Sequence, residues 1–366
     1  MADVTYMGIT PNDVVLSEAT PKLQRLAWEL NGIAWAKPIE VQDYVARETY
    51  LSQQELTRDG RCRYWILHHK HDPTHIVASC ESTRKTVLVA GGGRGFREEQ
   101  GYAVASVYTN PKYRRLGMAG FMLRKLQEHM DRDSACSVLY SDIGKVYYSQ
   151  LGWAVFPSEQ ATLHLLAGDQ FVSAQPEATR YLAKQELQPL CERDVAAMKA
   201  KFQALVGDAK THVAFAPTFA QIAWQLAREE FMARVLWKKE VERRGAVTAD
   251  GKSWICWDHD WREKKLKVMR VVTSDPPSPE QKLLDIVALL SAALAEASQW
   301  GLQKVVVWNP DGDMTRGIKG VGNFHEDQVK IIFDERADTS IPSFRWRGGE
   351  SVEGTVWEDN EYYCWC

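Results

Sequence analysis

Val107-Tyr108-Thr109-Asn110-Pro111-Lys112-Tyr113-Arg114-Arg115-Leu116-Gly117-Met118-Ala119-Gly120 joins an apolar strand to a helix through a basic, glycine-containing turn. Tyr102–Tyr108 reads as the strand, and a helix over about 117–132 carries Leu123 and Leu126 on its apolar face. Small residues at a helix start let backbone N–H groups approach a phosphate closely, and the helix dipole favours an anion there. Arg114 and Arg115 add cations. The turn is therefore expected to hold a pyrophosphate. It lacks the Gly-Lys-Ser/Thr of a nucleotide P-loop and the Gly-x-Gly-x-x-Gly of a dinucleotide fold.

Upstream of this turn, Val14–Leu16 reads as a short strand. A helix starting at Pro21 follows, with Leu23, Leu26, Ala27 and Leu30 at helical spacing and a stop at Gly32. A second helix is expected over Ile39–Leu56, then strands at Arg63–His69, His75–Glu81 and Thr86–Ala90, with Gly91–Gly95 as a flexible connection. Downstream, Ser137–Tyr140 is a buried strand, Lys145–Leu151 a short helix ended by Gly152, and Trp153–Phe156 a strand. This order predicts an α/β (α+β) fold with a mixed, largely antiparallel sheet.

The turn resembles the acetyl-CoA-binding motif of the GNAT acetyltransferases, Arg/Gln-x-x-Gly-x-Gly/Ala, with Arg114, Gly117 and Ala119 at its three defining positions. Tyr147-Tyr148-Ser149-Gln150-Leu151-Gly152-Trp153 resembles the family's Tyr-x-x-x-Gly-Phe segment at the usual distance, and the strand order agrees. The resemblance covers residues 10–165. Within the superfamily, the chain is similar to the fungal lysine N6-acetyltransferases. Its length, the His75–Leu88 hairpin before a glycine-rich turn, and the tryptophan-rich C-terminal half are the cues. Ser141 and Gly144 depart from the family, which often carries Asn and Ala there.

The resemblance implies direct acetyl transfer from acetyl-CoA to a small cationic amine, lysine at N6, with CoA as product; the alternatives are another acceptor (a polyamine, antibiotic, toxin or protein lysine) or a CoA-binding regulator without transfer. It implies that Val107, Tyr108, Thr109, Arg114, Arg115, Leu116, Gly117, Met118, Ala119, Gly120 and Ser141 hold the cofactor. An N–H near Val107 would stabilise the oxyanion, and Tyr148 would protonate the departing thiolate. A lysine amine, with pKa ~10.4, is neutral in only about one molecule in a thousand near pH 7.4, so a base or a desolvating pocket is needed. Glu81, Asp142 and His164 are the candidate bases, with Glu81 preferred for its place at a strand end facing the motif.

Residues 1–165 are expected to form the catalytic unit and 166–366 a second α/β unit, with the boundary within 158–185. The second unit reads as helices near 192–205 and 218–243, strands at Ser253–Trp257 and Leu266–Thr273, a helix from Pro279 to Trp300 capped by Ser278, and a strand at Lys304–Trp308. Beyond 320 the chain reads as loop-rich, with strand-like Val329–Phe333 and Val356–Trp357. The order strand 266–273, helix 279–299, strand 304–308 echoes strand 102–108, helix 117–132, strand 137–140, which reads either as a degenerate repeat of the first fold or as two unrelated α/β units, since this order is common. Ser274-Asp275-Pro276-Pro277-Ser278-Pro279 replaces the basic turn there; prolines lack N–H donors and Asp275 repels phosphate, so the second unit should hold no cofactor and instead shape the acceptor site. The acidic, aromatic segment Trp357–Tyr363 is a candidate lining for a cationic amine.

Composition excludes several classes. The 366 residues carry a formal charge of -3, 45% apolar and 25% charged residues, which fits a folded globular protein and not a general nucleic-acid binder. No apolar run approaches the ~20 residues of a membrane span. The absence of a visible secretory signal and seven cysteines without paired spacing point to reduced thiols and a cytoplasmic setting. His68, His69, His71 and His75 cluster at one turn and read as a polar hairpin, so no metal is expected. The oligomeric state is not legible.

Overall fold

The computed structural model describes residues 8–166, 170–173, 176–273 and 278–365. The first half runs β1 (Val14–Glu18), α1 (Pro21–Trp35), α2 (Val41–Ser52), β2 (Cys62–His69), β3 (Asp72–Gly91), β4 (Arg97–Thr109), α3 (Met118–Met130), β5 (Cys136–Ser141), α4 (Val146–Ser149), β6 (Ala154–Val155) and β7 (Glu159–Leu165). The second runs β8 (Thr179–Leu182), α5 (Lys184–Ala204), β9 (Thr211–Phe215), α6 (Phe219–Trp237), β10 (Gly245–Thr248), β11 (Trp254–Asp260), β12 (Lys265–Val272), α7 (Pro279–Gln299), β13 (Lys304–Trp308), α8 (Gly312–Phe324), β14 (Val329–Glu335), β15 (Ile341–Trp346) and β16 (Thr355–Trp357).

These strands form two mixed sheets of the same design. One follows the order β1-β2-β3-β4-β5-β15-β6, with β9 added beside β3 and β16 beside β9. The other follows β14-β7-β13-β12-β11-β10-β8. Read from β8, each sheet has an antiparallel run that ends in one parallel pair joined by a long helix. The pair is β4 and β5 around α3 in the first sheet, β12 and β13 around α7 in the second. The degenerate repeat is therefore present as two GNAT-like halves.

The halves exchange a strand. β15, from the end of the chain, lies between β5 and β6, antiparallel to both. β7, from the first half, lies between β13 and β14, again antiparallel to both. The expected division at 165/166 thus follows the chain and not the space it fills. Arg345 of β15 fastens this exchange with two bonds of 2.6 and 2.7 Å to Asp131 at the end of α3. Such paired charge-assisted contacts fix geometry as well as add energy.

Several elements differ from expectation, each for a physical reason. His75–Glu81 and Thr86–Ala90 are parts of one twenty-residue strand, β3. It pairs with β2 over its first part, with β9 over Val87–Gly91 and with β4 over Ala78–Val89, so the polar stretch between the two runs continues the sheet, with Ser82, Thr83 and Lys85 buried and Arg84 and Thr86 exposed. β7 falls in the expected linker region; its Ala161 and Leu163 alternate with polar neighbours and are buried. β15 carries Pro342, which argues against an inner strand, yet the ladder with β6 uses only Ser343 and Phe344 and leaves Pro342 out. α5 begins at Lys184, eight residues before the expected helix. α8 covers the glycine-rich 317–322 segment, where Gly317 and Gly320 let the helix approach Ile286 and Val287 of α7.

The described cysteines, Cys62, Cys80, Cys136, Cys191, Cys256 and Cys364, are buried free thiols, and Cys366 lies outside the described residues. No helix among the described residues is long and apolar enough to cross a membrane.

Candidate active site

β4 and β5 pair only over Gly101–Ala103 against Cys136–Val138. Beyond that point β4 continues to Thr109 and β5 to Ser141 without pairing, so the two strands diverge. A bulge opposite Cys80 aids the divergence; it places Ser106 at φ 52° and shifts the register with β3 between Ser79 and Glu81. Val107, Tyr108 and Thr109 lie on this splayed segment.

The segment leads into the start of α3. Gly117 is the N-cap of α3 in a left-handed conformation, φ 75°, and nothing lies within 4 Å of where a Cβ would stand. Arg115 is also left-handed, at φ 62°. Arg114, Arg115, Leu116 and Gly117 are exposed, while Met118 and Gly120 face the core. The first N–H groups of α3 have no partner within the helix and point out past an open glycine. These residues fit a phosphate-bearing cofactor: free donors, two arginines and no obstructing side chain. Arg114 Nε donates to Thr109 O at 3.2 Å, which ties the turn to the splayed strand. Ser141 stands apart from this set. It is buried, its hydroxyl donates to Gly144 O at 2.7 Å and accepts from Ile143 N, and so it closes the turn after β5.

A cavity of about 250 Å³ borders the splay. Val104, Ala105 and Ser106 of β4 and Tyr140 of β5 form its edge toward the splay. α1 and α2 contribute Trp35, Tyr44, Arg47 and Glu48, β3 contributes Glu81, and the second half contributes Trp224, Arg228, Arg262 and Trp365. Both halves thus wall it. Arg47 is committed to Glu48 at 2.6 Å. Glu81 is half-buried in the cavity wall, and desolvation first, then the charge of Glu48, push its carboxyl from 4.5 up to about 7, against hydrogen bonds from Ser106 and Cys62. A carboxyl with that acidity, set against a strand opening, can take a proton near neutral pH.

The other candidates fall unequally. Asp142 lines the same cavity and accepts from Ser340 N at 2.9 Å. His164 is on β7 in the second sheet, opposite Lys304 and Lys330, and so is removed from the cavity. Tyr148, on α4, is buried beside Tyr147 and Trp153 within the core under the splay. Burial pushes its phenol well above the ordinary range, so it stays protonated at neutral pH. The histidine turn holds ring contacts among His69, His71 and His75, and among the described residues no group of three or more His, Cys, Asp or Glu could hold a metal.

In the second half, β12 and β13 pair over Lys265–Lys267 and then diverge in the same way. The chain's own C-terminal segment occupies this opening. Glu361 accepts from Val271 N at 3.0 Å, and Arg270 binds Asp194, Asp359 and Glu361. Counted from the last paired residues Ala103 and Lys267, Val271 is the counterpart of Val107. The acidic tail expected to line an amine site therefore serves this second opening, where Glu358, Asp359 and Glu361 border a separate cavity of about 580 Å³. Residues 274–277, most of the turn expected to exclude a cofactor, lie outside the described residues. Arg228, Arg262 and Trp365 had no signal in the sequence, because they reach the first cavity only through the docking of the halves.

Comparison with known proteins agrees with this architecture. Residues 165–366 match the profile of the LYC1 GNAT-like C-terminal domain, and residues 33–148 match that of the acetyltransferase (GNAT) family. An uncharacterized protein of Saccharomyces cerevisiae is 24% identical, covering 94% of this chain and 96% of its own. A lysine acetyltransferase of Yarrowia lipolytica is 20% identical, covering 81% of this chain and 84% of its own. Among solved structures, a GCN5-related N-acetyltransferase from Kribbella flavida matches with a TM-score of 0.53 at 16% identity, over 92% of this chain and 72% of that one. A tandem GNAT protein from the clavulanic acid biosynthesis pathway matches with a TM-score of 0.51 at 13% identity, over 92% and 98%.

Proposed function

The chain belongs to the LYC1-like GNAT N-acetyltransferases, and from that premise we propose that it transfers the acetyl group of acetyl-CoA to the side-chain amine of a small cationic substrate, lysine at N6. The observation that carries this reading is the cavity beside the β4/β5 splay with the Glu81 carboxyl in its wall. The name of the Yarrowia lipolytica relative supports the choice of acceptor.

Acetyl-CoA, when bound, supplies an activated acyl group as a thioester. Arg114, Arg115 and the N–H groups from Leu116 to Gly120 would hold its phosphates at the start of α3. The unpaired edge of β4 from Val107 to Thr109 would position the pantetheine arm. Glu81 takes the proton of the attacking amine, and its place in a desolvated wall favours the neutral amine as well. The Val107 N–H donates to the negative charge that develops on the acyl oxygen. Tyr148, kept protonated by burial, gives its proton to the departing sulfur. Atoms balance: the amine loses one proton and gains an acetyl group, and CoA leaves as a thiol.

The test is release of CoA thiol from acetyl-CoA by the purified full-length protein with a panel of amines: lysine, polyamines, aminoglycosides and a lysine-containing peptide. Release with free lysine above the others supports the proposal. Release with another amine alone replaces the acceptor, and no release with any amine refutes it.

A further inference from the structure

The acceptor cavity is electrically divided. With Arg47 neutralised by Glu48, the charged groups left on the first-half wall are Glu81 and Asp142. Those on the second-half wall are Arg228, from α6, and Arg262, from the turn between β11 and β12. Among the described residues neither arginine makes an ion pair within 4 Å or a side-chain hydrogen bond; the contact of Arg228 is with the Trp365 ring, 5.7 Å from its guanidinium. Burial opposes the charge of Arg228, and the carboxylates of Asp258, Asp260 and Glu48 outweigh it. A guanidinium has five donors in a planar fork, and those of half-buried Arg228 and exposed Arg262 are open to a ligand in the cavity. A planar fork matches a carboxylate in a way an ammonium does not. The cavity's volume of about 250 Å³ lies below the usual range of about 300–1,000 Å³ for sites of drug-sized ligands, so it fits a small metabolite and not a folded protein segment.

Resting on the acetyl-transfer reading, we propose that the acceptor is a zwitterionic amino acid whose carboxylate is received by Arg228, with Arg262 beside it, while its distal amine faces Glu81. The second half then selects the substrate and the first half transforms it. The two charged ends of the molecule meet opposite charges on opposite walls, which is the arrangement a dication cannot satisfy. A polyamine would bring an ammonium toward two arginines, and like-charge contact of that kind disfavours the wrong substrate.

The experiment compares L-lysine, lysine amide and cadaverine, which share the amine chain and differ at the carboxylate. Steady-state rates at saturating acetyl-CoA are paired with calorimetric binding to the full-length wild type and to Arg228→Met, Arg228→Lys and Arg262→Gln. The wild type is expected to favour lysine over cadaverine on the order of 10- to 100-fold in kcat/KM. Arg228→Met should raise KM for lysine by a similar factor with kcat nearly kept, and should not weaken cadaverine, whose use improves if the like charge of Arg228 is what disfavours it. Arg228→Lys should recover part of the loss, and Arg262→Gln, on an exposed turn, should give a smaller rise in KM. Equal use of lysine and cadaverine by the wild type overturns the proposal while leaving acetyl transfer intact, and needs no variant to fold. A loss in Arg228→Met that is the same for all three amines also overturns it. If the wild type neither binds nor acetylates any of the amines, the acetyl-transfer reading itself fails.

Discussion

Replacing Glu81 with glutamine should make the protein slower and more stable at once, by an amount that grows from about pH 4.5 and is complete above pH 7. The carboxyl moves from 4.5 in the unfolded chain to about 7 in the folded one, chiefly through burial. Below pH 4.5 both states hold the proton, and the group contributes nothing to the pH dependence. Between pH 4.5 and 7 the folded chain keeps the proton that the unfolded chain releases, so stability falls as pH rises; above 7 the loss is complete, at about 3 kcal/mol. Glutamine keeps the shape and carries no charge. Urea unfolding of wild type and Glu81→Gln at pH 5, 6, 7 and 8 should therefore give midpoints that nearly coincide at pH 5 and separate by pH 8, the variant being the more stable. The same variant should lose the rise of kcat through pH 7 and fall by ~10²- to 10³-fold at pH 8, the range for a general base. Stabilisation of equal size at every pH would show that the carboxyl does not titrate where burial places it. A wild-type rate in the variant would remove Glu81 from the reaction.

Other perturbations separate the parts of the site. Gly117→Asp should weaken acetyl-CoA binding by on the order of 100-fold, because it adds a carboxylate where phosphate is expected. Gly117→Ala should cost only ~1–2 kcal/mol of left-handed backbone strain, since nothing stands within 4 Å of the new Cβ; equal calorimetric affinity for wild type and Asp variant would move the phosphate site elsewhere. Tyr148→Phe should lower kcat by ~10²-fold with CoA affinity little changed, and full turnover in that variant would assign the acid elsewhere. A fragment ending at residue 165 should be insoluble or unfolded, because it lacks β15 and leaves the facing edges of β5 and β6 unpaired; a fragment with native-like amide protection would refute the interdependence of the halves. For the same reason the full chain should unfold in one transition by circular dichroism and tryptophan fluorescence together.

The cofactor side of the site was local and therefore legible. A strand, a basic turn and a glycine at a helix start are consecutive in sequence, and the backbone conformation of Gly117 follows from the residue that occupies it. Tyr148 stood at a fixed short distance from Gly152, and Glu81 at the end of an alternating run. The repeat could also be read, since strand–helix–strand order survives divergence. What the sequence could not show was pairing between distant segments. The polar stretch in the middle of β3 looked like a break because the far part of the strand, Val87–Gly91, is held by β9, more than a hundred residues on, and Pro342 concealed a strand whose partners are some two hundred residues away. The exchange of β7 and β15 overrode the chain division at 165/166, because hydrogen-bonding edges are satisfied in space regardless of which half supplies the strand. The same long-range docking set Arg228, Arg262 and Trp365 opposite Glu81 and committed the acidic tail to Arg270. Local chemistry fixed where the cofactor's phosphates are expected, and only tertiary packing decided which charges face the acceptor, because a cavity's walls come from segments that no spacing relates.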